Sequence, residues 1–359
     1  MIHHSGFPDM LNLIQCPAFC VQDGVITHCN EDALKLLLQP GTPISQLLSA
    51  GIEDYQGFTE GFLFLTLCHG GQELPFSVSH TEAGDIFVME QDSQELALRT
   101  MSLISSKFRS PLFEVMLNVN RLLPMLEGVN APEAEGLAEQ INRGLYQMHR
   151  MVCNMSDTFR YAEGISGHKS YRDVVSITAE LLEHISVLAG ECSMKLEYSL
   201  PREQIPCLID EDLLERALYN MISNAIKHSD PGSVIRVTLT RNGKKLYYSV
   251  TDQGHGIDWS SAGNVFRSYQ REPGLESPLV GLGLGLALVR CAAMVHEGTV
   301  LIDSPEGVTT RVTMSISISH PKTATVRSPL PRVDYAGERD HGLLELSDVL
   351  PAHLYKPTK

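Results

Sequence analysis

Three short segments in a fixed order constrain this chain more than anything else in it. They are Asn220-Met221-Ile222-Ser223-Asn224-Ala225-Ile226-Lys227-His228, then Asp252-Gln253-Gly254-His255-Gly256, then Gly281-Leu282-Gly283-Leu284-Gly285-Leu286-Ala287. Each alone is weak: the first also suits a solvated polar face, the second a simple strand-exit turn. Together they read as one nucleotide site. The first lies on a helix predicted over 211–229, where Asn220, Asn224 and Lys227 share one face at i, i+4, i+7. Leu214, Leu218, Met221, Ile222 and Ala225 take the other face. Amide oxygens suit Mg²⁺ or its waters, since that ion prefers hard oxygen donors, and Lys227 offers a point charge to a phosphate. Asp252 follows the run Leu246-Tyr247-Tyr248-Ser249-Val250-Thr251 and so stands at a strand end. A carboxylate there can accept a hydrogen bond from the exocyclic amine of adenine, and Gly254 and Gly256 let the backbone turn against a planar base. Gly281, Gly283 and Gly285 open a helix predicted over 284–296, where backbone N–H groups can face phosphate oxygens. No GK[ST] follows, and the GxGxG spacing is not the dinucleotide fingerprint.

The surrounding pattern implies an α+β, multidomain chain. From 10 to 90, short apolar runs alternate with turns, and Asp23-Gly24 between Ala18–Val21 and Val25–Cys29 is a hairpin signal. Asn30 then stands where it can cap a helix. From 93 to 163 the period becomes helical. Leu137, Ile141, Leu145, Met148, Val152, Met155 and Phe159 form a near-heptad stripe, matched by one from Met101 to Leu126. Two helices with one apolar stripe each bury those stripes if two copies pair into a four-helix bundle; the other solution is packing on their own chain. From 170 to 319 helices are predicted at 171–190, 211–229 and 284–296, with strands at 194–199, 234–240, 245–251, 299–303 and 311–318, an α/β layer arrangement. Beyond 320 the composition reads as a disordered tail, with a short amphipathic segment at Leu343–Leu350 that could dock on a partner or on the chain itself.

The three motifs carry a resemblance. N-x-x-x-N-A-x-K-H, D-x-G-x-G and G-x-G-x-G-L-A, in that order, resemble the ATP-binding domain shared by histidine kinases, gyrase and their relatives. The resemblance runs from about 205 to 317. Val265-Phe266-Arg267-Ser268-Tyr269-Gln270-Arg271 is similar to the F-x-x-F/Y-x-R segment of histidine kinases. It implies Asn224 as Mg²⁺ ligand, Lys227 as a phosphate contact, Asp252 as the adenine reader, Asn220 in the phosphate region and His228 at the border of the base. Gly254, Gly256, Gly281, Gly283 and Gly285 would line the same site. The stretch between Arg271 and Gly281 would be a short lid, and Leu282 replaces the usual Thr or Ser. The D-G-x-I-x-x-x-N turn and its element order resemble a PAS domain. The implied organisation is a PAS-like α/β sensor domain at 8–91 and a two-helix dimerisation domain at 92–164. An α/β-sandwich ATP-binding domain at 170–319 and the tail at 320–359 follow.

One residue departs from that family. Ser105-Ser106-Lys107-Phe108-Arg109-Ser110-Pro111-Leu112 matches the end of the phosphoacceptor box, but Ser106 stands where the histidine belongs and Lys107 where the acid belongs. An imidazole is largely unprotonated near neutral pH and can attack a γ-phosphoryl group. A serine hydroxyl is a weak nucleophile without a nearby base. The resemblance therefore implies a cytoplasmic sensor histidine kinase-like protein of two-component signalling. It would bind ATP and Mg²⁺ and act on a partner, as a homodimer or in a mixed dimer, with a response regulator or a partner kinase. A pseudokinase using ATP as a conformational ligand is the alternative, and a serine kinase a third.

Composition narrows the partners. A net charge of -15 argues against nucleic acid, whose affinity rests on Lys and Arg, and against an anionic membrane surface. The 8 cysteines include no CxxC pair and read as reduced thiols. No basic n-region precedes an apolar core at the start, and no apolar run approaches the ~20 residues of a membrane helix.

Overall fold

The computed structural model describes residues 16–48, 51–81, 84–89, 132–162, 169–254, 256, 284–304, 309–320 and 340–356, with isolated positions at 11, 14, 112, 115 and 119. Ser106, Lys107, the segment Val265–Arg271, the stretch up to Gly281, and Gly283 lie outside the described residues. The first unit opens with β1 (Ala18–Gln22) and β2 (Val25–Cys29), joined at Asp23 and Gly24, both at positive φ. That is the backbone a two-residue hairpin turn requires. Asn30 caps α1 (Glu31–Lys35): its Oδ1 accepts from the Ala33 amide at 2.9 Å and the Ala18 amide at 3.0 Å, so one buried side chain ties helix to strand. After α2 (Ile52–Gln56) come β3 (Phe62–His69), β4 (Gln72–Thr81) and β5 (Gly84–Met89). Phe19, Phe76 and Phe87 centre the core of this unit.

The second unit holds β6 (Ser170–Asp173), α4 (Val174–Glu191), β7 (Lys195–Ser199) and β8 (Pro206–Ile209). It continues through α5 (Glu211–Lys227), β9 (Val234–Asn242), β10 (Lys245–Thr251), α6 (Leu284–Val295), β11 (Val300–Asp303) and β12 (Arg311–Ser317). Between the units runs α3 (Pro132–Ala162). α4 buries Val174, Thr178, Leu181, Leu182, Ile185, Leu188 and Ala189, one face at helical period. α5 is buried nearly all round, Arg216, Asn220 and Ser223 included. It lies between the sheet strands β9 and β10 on one side and α6 and a C-terminal helix on the other.

Ten strands form one sheet in the order β2-β1-β5-β4-β3-β11-β12-β10-β9-β7, and β6 pairs β8 separately. The two units join where β3 runs antiparallel to β11, with Phe64 opposite Val300 and Phe62 opposite Ile302. Beside that seam Asp54 of α2 accepts from Lys245 Nζ at 2.6 Å, Tyr247 Oη at 2.8 Å, Thr299 Oγ1 at 2.6 Å and Ser315 Oγ at 3.2 Å. Burial pushes the Asp54 carboxyl up, but these partners outweigh it and hold the group below the usual carboxylate value.

Two expectations change here. Residues 340–356, within the stretch whose composition reads as a disordered tail, are packed on the chain itself: α7 (His341–Glu345) is capped by Asp340, Leu344 is buried, and Leu346, Leu350 and Tyr355 are buried in the main core. The physical reason is that the amphipathic segment finds its apolar partner within the chain, against α3, α4 and α5. The apolar stripe on α3 also divides. Leu145 and Val152 are buried, while Leu137, Ile141 and Met148 stay exposed. The buried side of α3 instead carries Asn142, His149, Arg150 and Asn154. Among the described residues, no helix is long and apolar enough to cross a membrane.

Candidate nucleotide site

α5 brings the first motif to the middle of the second unit. Asp210 caps its start, accepting from the Leu213 amide at 3.1 Å, and Lys227 lies in its last turn. The start is also tied to α6: the Asp210 amide donates to His296 Nε2 at 3.0 Å, and His296 Nδ1 donates to the Ala292 carbonyl at 2.7 Å. This pair of bonds fixes a neutral imidazole. Burial lowers its pKa to about 4, against the smaller opposing effect of the Ala292 carbonyl. The unfolded state therefore binds a proton that the folded state refuses as pH falls from 6.5 toward 4. Stability is expected to drop across that window by up to about 3 kcal/mol. Urea midpoints measured from pH 7 to 4.5 on the protein and on His296→Gln check this, and equal slopes in the two would count against it.

Asn220 is buried against α3 and α6. Its Oδ1 accepts from Arg150 Nη2 at 3.0 Å and its Nδ2 donates to the Arg216 carbonyl at 2.8 Å. Gly285 in the first turn of α6 meets it there, since a Cβ at that position would stand 2.9 Å from Asn220 Oδ1. This glycine thus allows two helices to approach at the site. Asn224 is half-buried one turn on, and its amide oxygen is a donor of the kind Mg²⁺ accepts alongside phosphate and water. Lys227 donates to Asp348 Oδ2 at 2.6 Å.

The second motif closes on the C-terminal end of α5. A Cβ on Gly254 would lie 2.1 Å from the carbonyl oxygen of His228, so only glycine fits this approach. Asp252 directly follows β10 and is buried. Its Oδ1 accepts from the Gly254 amide at 2.9 Å and the Thr310 amide at 3.3 Å. Burial raises its pKa, and those two amides and the exposed His228 act against that rise. Gly256 has a φ of 70°, a left-handed turn that lets the chain leave the strand. Of the third motif only Gly285 falls among the described glycines; Gly281 and Gly283 do not.

Side chains absent from the sequence reading complete the site. Glu345 is 0% exposed and bridges two guanidiniums, accepting from Arg150 Nε at 3.3 Å and Arg216 Nε at 3.1 Å. Arg216 Nη2 also donates to Asn154 Oδ1 at 2.6 Å. Arg150 Nη1 donates to Asp348 Oδ2 at 2.9 Å and to Ser223 Oγ at 3.4 Å. α3 holds the backbone of this segment as well: Arg143 Nε and Gln147 Nε2 each donate to the Ser347 carbonyl at 3.1 Å. An acid set inside an apolar run, as in Leu344-Glu345-Leu346, was the one signal for this in the sequence.

Residues 209–320 match the family model of the histidine kinase-, DNA gyrase B- and HSP90-like ATPases. The adaptive-response sensory kinase SasA of Crocosphaera subtropica is 26% identical over 238 residues, covering 62% of this chain and 61% of that protein. The sensor-like histidine kinase SenX3 of Mycobacterium tuberculosis is 32% identical over 145 residues, covering 40% of this chain and 35% of that protein. Among solved structures, full-length ShkA in complex with AMPPNP aligns with a TM-score of 0.48 at 19% identity, over 62% of this chain and 47% of that one. The chain spans less than two thirds of the length of each.

Proposed function

We propose that this chain, a relative of the sensor histidine kinases with their type of ATPase domain at residues 209–320, holds ATP between α5 and the turn after β10. The observation that carries the reading is Asp252. A buried carboxylate fixed by two backbone amides, one of them from Gly254, which packs against the His228 carbonyl at the end of the helix bearing Asn220, Asn224 and Lys227, is built to present an acceptor to a ligand donor. In this reading Asp252 accepts from the adenine amine and Gly254 and Gly256 leave room for the ring. Lys227 holds phosphate, and Asn224 would hold Mg²⁺, whose chemistry is to neutralise charge on the phosphates. Asn220 borders the phosphate region through Arg150.

The order and sheet arrangement of the first unit support a PAS-like sensor at 8–91, and α3 supplies the second helix of a dimerisation hairpin at 92–164. Because Ser106 stands where that hairpin should carry its histidine, the reading is phosphoryl transfer to a partner rather than to this chain. The partner would be a histidine on another subunit or a response regulator. The pseudokinase reading is favoured by a different observation: Lys227 and the Arg150–Asn220 pair are already engaged by the C-terminal segment.

Nucleotide binding is tested by titrating the protein with a fluorescent ATP analogue with and without Mg²⁺. Asp252→Asn is expected to weaken binding roughly 10–100-fold, the worth of a charged hydrogen bond. Asn224→Ala should remove the Mg²⁺-dependent part. Unchanged affinity in Asp252→Asn would sink the reading. Incubation with γ-labelled ATP then separates the two functions: acid-labile label on a partner histidine supports transfer, acid-stable label lost in Ser106→Ala supports serine, and binding without label on any chain supports the pseudokinase.

A further inference from the structure

One carboxylate oxygen in the site is held by two cations from different parts of the chain. Asp348 Oδ2 lies 2.6 Å from Lys227 Nζ and 2.9 Å from Arg150 Nη1. An ammonium and a guanidinium converging on one anionic oxygen is the arrangement that also holds a phosphate oxygen. The cations are the more buried members, at 5% exposure for Arg150 and 16% for Lys227, against 22% for Asp348. Two desolvated cations side by side require an anion; Glu345 meets Arg150 at Nε, and Asp348 is the anion that Arg150 and Lys227 share. Arg150 is further oriented by Ser223 and Asn220, both on the motif helix.

We propose that Arg150 and Lys227 form a two-cation phosphate site, occupied in this structure by the Asp348 carboxylate and ceded to the terminal phosphates of a nucleoside triphosphate when the segment around Asp348 moves aside. The inference rests on the nucleotide reading of the cleft and adds to it a phosphate ligand, Arg150, that comes from α3 and not from residues 209–320. It also makes carboxylate and phosphate mutually exclusive. Docking of residues 346–350 and binding of a polyphosphate then oppose one another, and each weakens the other by the same factor. The position of α3 enters nucleotide affinity directly, because α3 carries one of the two cations.

The test uses the full chain and three probes: Mg²⁺–ATP, adenosine and inorganic tripolyphosphate. Asp348→Asn, which keeps the side-chain shape and removes its charge, is expected to tighten ATP and tripolyphosphate by about tenfold and leave adenosine unchanged. Arg150→Gln should weaken ATP by a similar factor and again spare adenosine. Tripolyphosphate should accelerate hydrogen exchange at the Leu346, Val349 and Leu350 amides, which are bonded within the docked segment. ATP binding that Asp252→Asn abolishes but Asp348→Asn leaves unchanged, with no faster exchange, overturns this inference and keeps the nucleotide reading. Tripolyphosphate that binds and frees the segment while neither ATP nor adenosine gains from the base overturns the adenine reading and keeps the two-cation site. Failure of all three probes overturns both.

Discussion

Glu345→Ala is expected to destabilise the second unit by about 3–5 kcal/mol, the cost of removing one partner from a buried ion cluster. The side chain is 0% exposed and its two oxygens meet two guanidiniums, with Arg216 at 4% exposure. Deleting it leaves both positive groups in a low-dielectric interior. Arg150 retains Asp348 and Arg216 retains Asn154, which moderates the loss without removing it. Glu345→Gln, which keeps the volume and one acceptor oxygen but turns an NH2 toward the other guanidinium, should lose less than Glu345→Ala. The measurement is the urea midpoint of the full chain with tryptophan-independent detection such as circular dichroism. A loss under about 1 kcal/mol for Glu345→Ala would show that the guanidiniums find water or other partners. The result also bears on the site, because Arg150 and Arg216 are the residues that bond the side chain and backbone around Asn220. A substitution in the C-terminal segment would thus be read out at Asn220.

Asp54→Asn is the second large effect, again about 3–5 kcal/mol, and it falls on the seam between the units. The carboxylate is 6% exposed and its ammonium partner Lys245 11%. The amide can still accept from Tyr247 or Thr299, yet it leaves Lys245 buried without its counter-charge. The sign with pH follows from the lowered Asp54 pKa: its contribution is fully present above the ordinary carboxylate value near 3.8 and is lost as pH falls through the lower folded value. The substitution should therefore flatten the acid limb of the stability curve. It should also speed exchange at the Val300 and Ile302 amides, on the strand that pairs β3, before it affects the Asn30 cap at the far side of the first unit. Uniform destabilisation of both units would argue that the seam is not a separable joint.

The regular parts of the fold were legible because they rest on short-range pattern. The run 245–251 alternates toward a covered sheet face, and β10 is Lys245–Thr251; the helix predicted over 211–229 is Glu211–Lys227. β6 and β8 escaped because each is four residues long, and β6 is mostly exposed, leaving little alternation to read. The motif glycines could be placed by type, but two of their close contacts could not be read locally. Gly254 and Gly285 relieve contacts with His228 and Asn220, which depend on how helices cross. The C-terminal segment was legible as amphipathic, with docking on the chain left as one of its alternatives, but its partners were not legible. Composition over 320–359 suggested a tail, while the side-chain partners of Glu345 and Asp348 sit 121 or more residues away in sequence, Lys227 being the nearest at 121 from Asp348. Nothing local announces such a partner. The stripe on α3 was legible as apolar but not as divided, because its buried side is set by polar residues whose partners arrive from the C-terminal segment.

The strand seam has a consequence for how the chain avoids its neighbours. A sheet ends wherever a row of N–H and C=O groups lacks a partner, and such a row invites strands from other molecules. By placing β3 against β11, the chain pairs two of these rows with each other, and among the described residues the sheet ends at β2 and β7. Each unit is therefore the other's guard against edge-to-edge association. Separating them by truncation would expose both rows at once, so the boundary between the units is not a safe place to cut.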